Sequence, residues 1–340
     1  MTPKVRTGIS YFGNRNPRHF LADLEEIISH NCNFILHTFS ENDQLFYKYT
    51  MAELIQLSKD AGLQVYVDPW GVGRVFGGEA TSDFAFKNRD VCQILSTGES
   101  AAGACMNNPR FREFMIKWID DAVEIGADVL FWDEPHFFID WDNIKADRTP
   151  RWACWCQHCI EKYQTLYGGA FPKTMGDDVQ RFREDTTVEF LTMICDYGRQ
   201  KNVKNAVCLL PHRERKFGVT DWSRIAAIKS LDIFGTDPYW VFFNKDLNEF
   251  VGGLSREIAM LSRQFNKEAQ IWIQNYRIPL GHEDEIREAV AVAYAEGVRN
   301  LAAWSFYGTA YMSYIKSDDP QKVWDTLGEV YGKLVRGEWE

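Results

Sequence analysis

The chain has 340 residues, 45% of them hydrophobic and 25% charged, a composition that excludes a disordered protein. Its net charge of −10 argues against nucleic acid or an anionic membrane as the main partner. No apolar run approaches the roughly 18 residues of a membrane span. The N-terminal residues lack the apolar stretch of a signal peptide, so we expect a cytoplasmic protein whose eight cysteines stay reduced or bind metal.

Strand and helix signals alternate along the whole chain. Strands are predicted at Val5–Tyr11, Asn33–His37, Gln64–Asp68, within 126–134, and at Asn205–Leu210, Leu231–Gly235, Gln270–Ile273 and Asn300–Ala303. Helices are predicted at Pro17–Ser29, Met51–Ala61, from Asn108-Pro109 onward, at 177–199, Trp222–Ser230, Asn248–Phe265 and His282–Glu296, and after Asp319-Pro320. The eightfold alternation predicts an α/β fold, a (β/α)8 TIM barrel.

The chain reads as one domain, because no linker separates two halves. We therefore expect a single barrel domain over residues 1–340 with long loops after strands three and four. The first loop, from Gly71 to about Asn107, is rich in Gly, Ser and Asp. The second, at about 137–176, is a cysteine-rich insertion.

The fourth strand ends on two adjacent carboxylates, Asp133 and Glu134, followed by Pro135. Acids at the end of a buried strand are costly unless they are used or paired, and barrel active sites lie at the C-terminal strand ends. We predict Glu134 as the catalytic acid and Asp237 as the second carboxylate, with Asp68 as second choice. Asp133 either raises the pKa of Glu134 by like-charge repulsion or accepts hydrogen bonds from the substrate.

Polar and aromatic side chains follow the other strands, and Trp and Tyr present flat apolar faces that suit sugar rings. The predicted substrate-binding residues are Tyr11, His37, Asp68, Trp70, Asp133, His212, Arg213, Tyr239, Trp240, Gln274, Asn275 and Trp304. Tyr276 and Arg277 also follow strand seven. Carboxylates beside rings are what glycosidic cleavage needs. No H-x-H or H-x-x-x-H spacing occurs, which argues against a catalytic metal.

Three cysteines stand in a C-x-C-x-x-C array, Cys154, Cys156 and Cys159, and Cys105 precedes the third helix. Four thiolates brought together from two loops would make a tetrahedral structural zinc site. The alternatives are three buried thiols without metal, or His158 as the fourth ligand in place of Cys105.

The segment from Ala104 to Gly168, with Cys105-Met106-Asn107-Asn108-Pro109, Trp132-Asp133-Glu134 and the cysteine array, resembles the family 42 β-galactosidases. The resemblance implies a (β/α)8 glycoside hydrolase, Glu134 as acid/base, and zinc on the four cysteines. Two positions depart from the family pattern. Asp133 stands where the family has Asn, and Gln274 ends the strand where the family carries its nucleophilic Glu.

Two functions remain open at this stage. The first is a glycoside hydrolase for small oligosaccharides or glycosides, retaining if the two carboxyl groups lie roughly 5–5.5 Å apart and inverting at about 6.5–9.5 Å. The alternative is a non-catalytic carbohydrate-binding barrel, because the amide of Gln274 cannot act as a nucleophile. A lyase or isomerase is disfavoured, since no lysine ends a predicted strand. The expected partner is a small carbohydrate, and a homo-oligomer is compatible with the sequence.

Overall fold

The computed structural model describes residues 5–339, so the ends of the predicted 1–340 domain lie outside the described residues. The barrel strands are β1 Arg6–Tyr11, β2 Phe34–Thr38, β3 Gln64–Asp68, β6 Val129–Asp133, β7 Lys204–Leu209, β8 Ile233–Thr236, β9 Glu268–Gln274 and β10 Asn300–Trp304. These eight parallel strands close into a barrel in the order β1-β10-β9-β8-β7-β6-β3-β2. The predicted (β/α)8 barrel is confirmed.

The strands are apolar on both faces because the barrel interior and the helix layer each bury one side. In β6, Val129 and Phe131 point into the barrel, whereas Leu130 and Trp132 pack under the helices. This alternation of period two recurs in the other strands. It fixes which side chains at a strand end face the mouth of the barrel.

Helices cover the outside of the barrel in sequence order. They are α1 Pro17–Ser29, α2 Lys48–Asp60, α3 Asp83–Lys87, α4 Pro109–Glu124, α5 Trp141–Lys145, α6 Gln157–Tyr167, α7 Asp177–Gln200, α8 Ser223–Ala226, α9 Leu247–Phe265, α10 Glu285–Ala295 and α11 Pro320–Arg336. The start of α4 is as predicted, with the Asn108 side chain accepting a hydrogen bond from the Arg110 N–H. The predicted helix at Trp222–Ser230 is shorter, since only Ser223–Ala226 is α-helical. No helix in the described part is long and apolar enough to cross a bilayer.

The two long loops carry structure of their own. The first contains α3 and an antiparallel hairpin formed by β4, Cys92–Ile94, and β5, Ser100–Ala104. The cysteine-rich loop contains α5 and α6 and runs along this hairpin. Leu95 forms a β-bridge with Ala153, and the Trp155 N–H donates to the Ile94 carbonyl at 2.7 Å. The loops therefore form one wall above the barrel mouth.

Candidate active site and cysteine cluster

Four carboxyl groups gather at the C-terminal end of the barrel. Asp68 and Asp133 end β3 and β6 on the inward-facing phase of the alternation, and Asp237 directly follows β8. Glu134 follows Asp133 with a φ of +39°, a conformation that a residue with a side chain adopts only at a cost. Both Asp133 and Glu134 line a cavity at the mouth of the barrel. The four carboxyls form what we call the acid cluster.

The acid cluster lies beside a cavity of about 330 Å³ at the barrel mouth. Six of the predicted site residues line it, namely Trp70, Asp133, Glu134, Asp237, Tyr239 and Trp304. The remaining lining residues are Gly78, Glu79, Trp141, Leu210, Phe242, Phe243, Tyr276, Arg277, Tyr314 and Ile315. A mostly apolar and aromatic wall with a few convergent polar groups is typical of a small-molecule site.

Burial raises the pKa of every carboxyl in the acid cluster. Burial is the main cause for all four, and the neighbouring charges of Asp133 and Glu134 raise the pKa of Asp68 further. Asp237 donates a hydrogen bond to Glu134, which raises the pKa of Asp237 and lowers that of Glu134. No ion pair to any of the four occurs within residues 5–339. The cluster therefore keeps protons at a pH where ordinary carboxyls are ionised.

The backbone around Glu134 is fixed by several contacts. Its N–H donates to the Cys208 carbonyl at 2.8 Å, and its carbonyl contacts the His136 ring. Across the mouth, the Gly77 N–H donates to the Asp133 carbonyl at 3.0 Å. A Cβ at Gly77 would collide with the Asp133 carboxyl and crowd that of Glu134, so a larger residue here would displace these side chains.

Tyr11 ends β1 and His37 is the last residue but one of β2, but both side chains point outward. Tyr11 donates its hydroxyl hydrogen bond to Asp23 on α1. His37 shares a 2.9 Å hydrogen bond between its Nε2 and the Ser58 hydroxyl on α2, and its burial lowers its pKa to about 3. Both lie on the helix-facing phase of the alternation, and neither lines the cavity.

Three further predicted residues also lie away from the cavity. The His212 ring stacks on Phe217 with centroids 4.5 Å apart. Arg213 forms an ion pair with Glu257 on α9. Trp240 is buried, and its Nε1 donates to Glu285 at 2.7 Å. These side chains attach the loops after β7 and β8 to neighbouring elements.

The two amide side chains at the end of β9 are fully buried and form hydrogen bonds with backbone groups. Gln274 accepts from the N–H groups of Val241 and Phe242 at 3.0 and 3.2 Å, and its side-chain nitrogen donates to the Tyr276 carbonyl at 2.8 Å. Asn275 donates to the Ser305 carbonyl at 2.8 Å. Asp68 is fully buried too and lies behind the cavity wall.

Sequence reasoning missed the part of the cavity that the loops supply. Glu79 and Trp141 come from the loops after β3 and β6, and Tyr314 from the segment after β10. No local pattern marks a loop residue as facing the mouth, since loop paths depend on tertiary packing. Leu210 could have been found, because it continues the inward phase of Ala206 and Cys208.

The four cysteines form a second cluster, which we call the thiol cluster. The Sγ atoms of Cys105, Cys154, Cys156 and Cys159 all lie within 4.8 Å of one another. The Sγ of Cys105 is 3.5 Å from those of Cys156 and Cys159. Four thiolates on one zinc at 2.3 Å would stand about 3.8 Å apart. The donor set and its spacing therefore fit a structural zinc ion.

Asn107 lies against the thiol cluster. Its N–H donates to the Cys105 sulfur at 3.4 Å, and its side-chain nitrogen donates to the Cys159 sulfur at 3.3 Å. Such donors favour thiolates over thiols and orient metal ligands. His158, the alternative fourth ligand, is not part of the group, since Cys105 completes it.

No protein-family model matches the chain, and no curated protein matches it. Solved structures do resemble it. The catalytic domain of β-amylase from Paenibacillus polymyxa superposes with a TM-score of 0.65 at 9% identity, over 95% of this chain and 98% of that one. The endo-1,4-β-mannanase of Rhizomucor miehei gives 0.63 at 11% identity, over 98% and 96%. A D-psicose 3-epimerase gives 0.50 at 12% identity, over 98% of each chain. At such identities the likeness shows a shared barrel fold, and the resemblance to family 42 is not confirmed.

Proposed function

We propose that this protein is a glycoside hydrolase in which Glu134 is the proton donor. The observation that carries the proposal is the position of Glu134. Its carboxyl lines an aromatic-walled cavity, has no cationic partner in the described part of the chain, and shares a hydrogen bond with the carboxyl of Asp237. Burial raises the pKa of Glu134, so the group holds a proton for the leaving oxygen to a higher pH than an ordinary glutamic acid does.

The roles of the other acids follow from their exposure. Asp237 is only 3% exposed and hydrogen-bonded to Glu134, closer than the roughly 5–9.5 Å that separates the two carboxyls flanking a glycosidic bond. We therefore give Asp237, the second catalytic carboxylate of the sequence prediction, a positioning role for the proton on Glu134. Asp133 is more open to the cavity, which lets it face the positive charge that develops on the sugar.

A test of Glu134 is a panel of chromogenic glycosides of both anomers, run with the wild type and Glu134→Gln. We expect the substitution to lower kcat/KM by about 10²–10⁴-fold, the usual contribution of a general acid. Glu113→Gln makes the same chemical change on the exposed face of α4 and should leave the rate unaltered. Equal kcat/KM for the wild type and Glu134→Gln would refute the proposal.

Asp237→Ala tests the positioning role. Removing Asp237 removes the hydrogen bond that lowers the pKa of Glu134, so the pKa of the acid should rise. The alkaline limb of the pH–rate profile should then move to higher pH, while a merely structural role would lower the rate at every pH alike.

The second candidate function is sugar binding without catalysis, and Gln274 favours it. This side chain ends β9, where the family 42 β-galactosidases carry their nucleophile. Its amide oxygen and its amide nitrogen both form hydrogen bonds with the backbone of neighbouring loops. A pure binder would bind sugars in the wild type and in Glu134→Gln alike, and hydrolyse none of the panel.

A further inference from the structure

The cavity contains an excess of acidic groups. Asp133, Glu134 and Asp237 line it, Asp68 lies behind them, and Glu79 stands at its edge. Arg277 is the only basic side chain among the lining residues. Its guanidinium lies over the Phe242 ring, 5.7 Å from the centroid, and forms no ion pair with the acid cluster within residues 5–339. The cluster thus lacks a cation from the protein.

The spacing of the acids argues against a small metal ion as the missing cation. Among the described residues, only the thiol cluster brings three or more potential ligand atoms within 4.8 Å of one another. Asp237 offers an unused acceptor, because its Oδ1 is buried and has no hydrogen-bond partner in the part of the chain that the structure describes. A ligand that reaches these groups must fill a cavity of about 330 Å³.

The aromatic walls favour an organic cation. Trp70, Tyr239, Tyr276 and Trp304 line the cavity beside the carboxyls, and the Tyr239 and Tyr276 rings meet edge to face with centroids 5.2 Å apart. Aromatic faces attract ammonium groups, and the attraction is stronger in a desolvated site than at an exposed one. Carboxylates and rings together form a recognised kind of amine pocket.

We propose that the cavity binds an amino sugar with a free, protonated amine, the ammonium group taking the place of the missing cation beside Asp133 and Asp237. The sugar ring stacks on the aromatic walls, and the amine donates hydrogen bonds to the carboxyl oxygens. As a substrate assignment this inference rests on the proposed function, but the binding itself requires no turnover.

Isothermal titration of the wild type with free monosaccharides tests the proposal. The probes are glucosamine and galactosamine, compared with glucose, galactose and N-acetylglucosamine at pH 7. We expect each amine to bind at least about 10-fold more tightly than its hydroxyl counterpart, in line with a charge-assisted hydrogen bond. N-acetylglucosamine should lose this gain, because acetylation removes the charge.

Two variants make the test specific. Asp133→Asn should reduce the preference for the amine to less than about threefold, and Asp196→Asn, on the exposed face of α7, should preserve it. Any one of four results would overturn the inference. These are equal affinity for amine and hydroxyl sugars, tighter binding of the acetylated sugar than of the amines, no binding of any sugar, and a preference for the amine that survives Asp133→Asn. If the protein hydrolyses neutral glycosides and this activity depends on Glu134, the proposed hydrolase function is supported even when the amine proposal fails. If the protein binds the amines but hydrolyses nothing, only the hydrolase function is refuted.

Discussion

The thiol cluster and the acid cluster each bring together four groups that lose a proton to become anions, and they differ in spacing. The four sulfurs lie within 4.8 Å of one another, so one small ion can touch them all. Three of the four carboxyls line a cavity of about 330 Å³ and the fourth, Asp68, lies behind its wall. The neighbouring carboxyls of Asp133 and Glu134 disfavour ionisation of Asp68. The spacing of the groups thus makes the thiol cluster a candidate for binding one ion and the acid cluster a candidate for binding a larger ligand.

The difference also appears in what surrounds each cluster. Asn107 directs two hydrogen bonds at the sulfurs. Both oxygens of Asp68 are buried without a hydrogen-bond partner among residues 5–339. The thiol cluster thus receives hydrogen bonds that the most buried carboxyl of the acid cluster lacks. The following substitutions test this contrast.

The largest effect is expected from Cys159→Ala. The variant removes one of four zinc ligands, and loss of a structural metal belongs to the changes that cost about 4–5 kcal/mol or more of unfolding free energy. Metal analysis of the wild type should find one zinc per chain, and the variant should lose it. Cys195→Ala, a buried thiol outside the cluster, should keep the zinc. A zinc-free wild type would refute the metal assignment.

Asn107→Asp should weaken zinc binding by about 10–100-fold, the usual effect of losing an outer-shell partner. The aspartate keeps the oxygen that accepts from Lys162 at 2.8 Å but replaces the donor to Cys159 with a negative charge. Competition with a chromogenic chelator measures the affinity. An unchanged affinity would show that the N–H···S contact has no energetic role.

Gly77→Ala should destabilise the protein by about 1–3 kcal/mol, since the new methyl group overpacks the site against Asp133 and Glu134. It should also lower activity on any glycoside that the wild type hydrolyses. Gly253→Ala is the matched control, because nothing lies near a Cβ at that position in α9. Chemical denaturation of both variants checks the prediction, and equal stabilities would contradict it.

Asp68→Asn should stabilise the protein by about 1–2 kcal/mol at pH 8, the smallest of these effects. The folded state raises the pKa of Asp68, so the native state binds more protons than the unfolded state above the ordinary carboxyl pKa. The stability of the wild type therefore falls as pH rises from that value through the raised one. Urea denaturation should show the gain of the variant shrinking toward pH 4, and a gain independent of pH would contradict this reading.

Much of the fold could be predicted because the strand and helix signals repeat eight times, and Gln64–Asp68 and Pro17–Ser29 have the predicted bounds. The approximate location of the site followed from the acids that end the strands. The direction of individual side chains was harder. Tyr11 and His37 were expected in the mouth, yet the two-residue period that sends Phe34 and Leu36 inward sends His37 outward.

The conformation of Glu134 and the loop wall could not be predicted from local pattern. A positive φ in a glutamate depends on the fixed neighbours around it, here Cys208 and Gly77. The placement of Trp141 depends on the path of a loop that pairs with a distant hairpin. Both are tertiary effects, since the same short segments would take other conformations alone.

The pairing of the cysteine-rich loop with the β4–β5 hairpin connects the two clusters. Asp140, next to Trp141, holds Arg151 with a 2.8 Å ion pair, and Ala153 is bridged to Leu95. The cavity wall that carries Trp141 is thus anchored a few residues from Cys154. If zinc occupies the thiol cluster, an oxidising environment should remove its ligands and loosen this wall while the barrel strands stay folded. The shape of the cavity would then depend on the redox conditions around the protein.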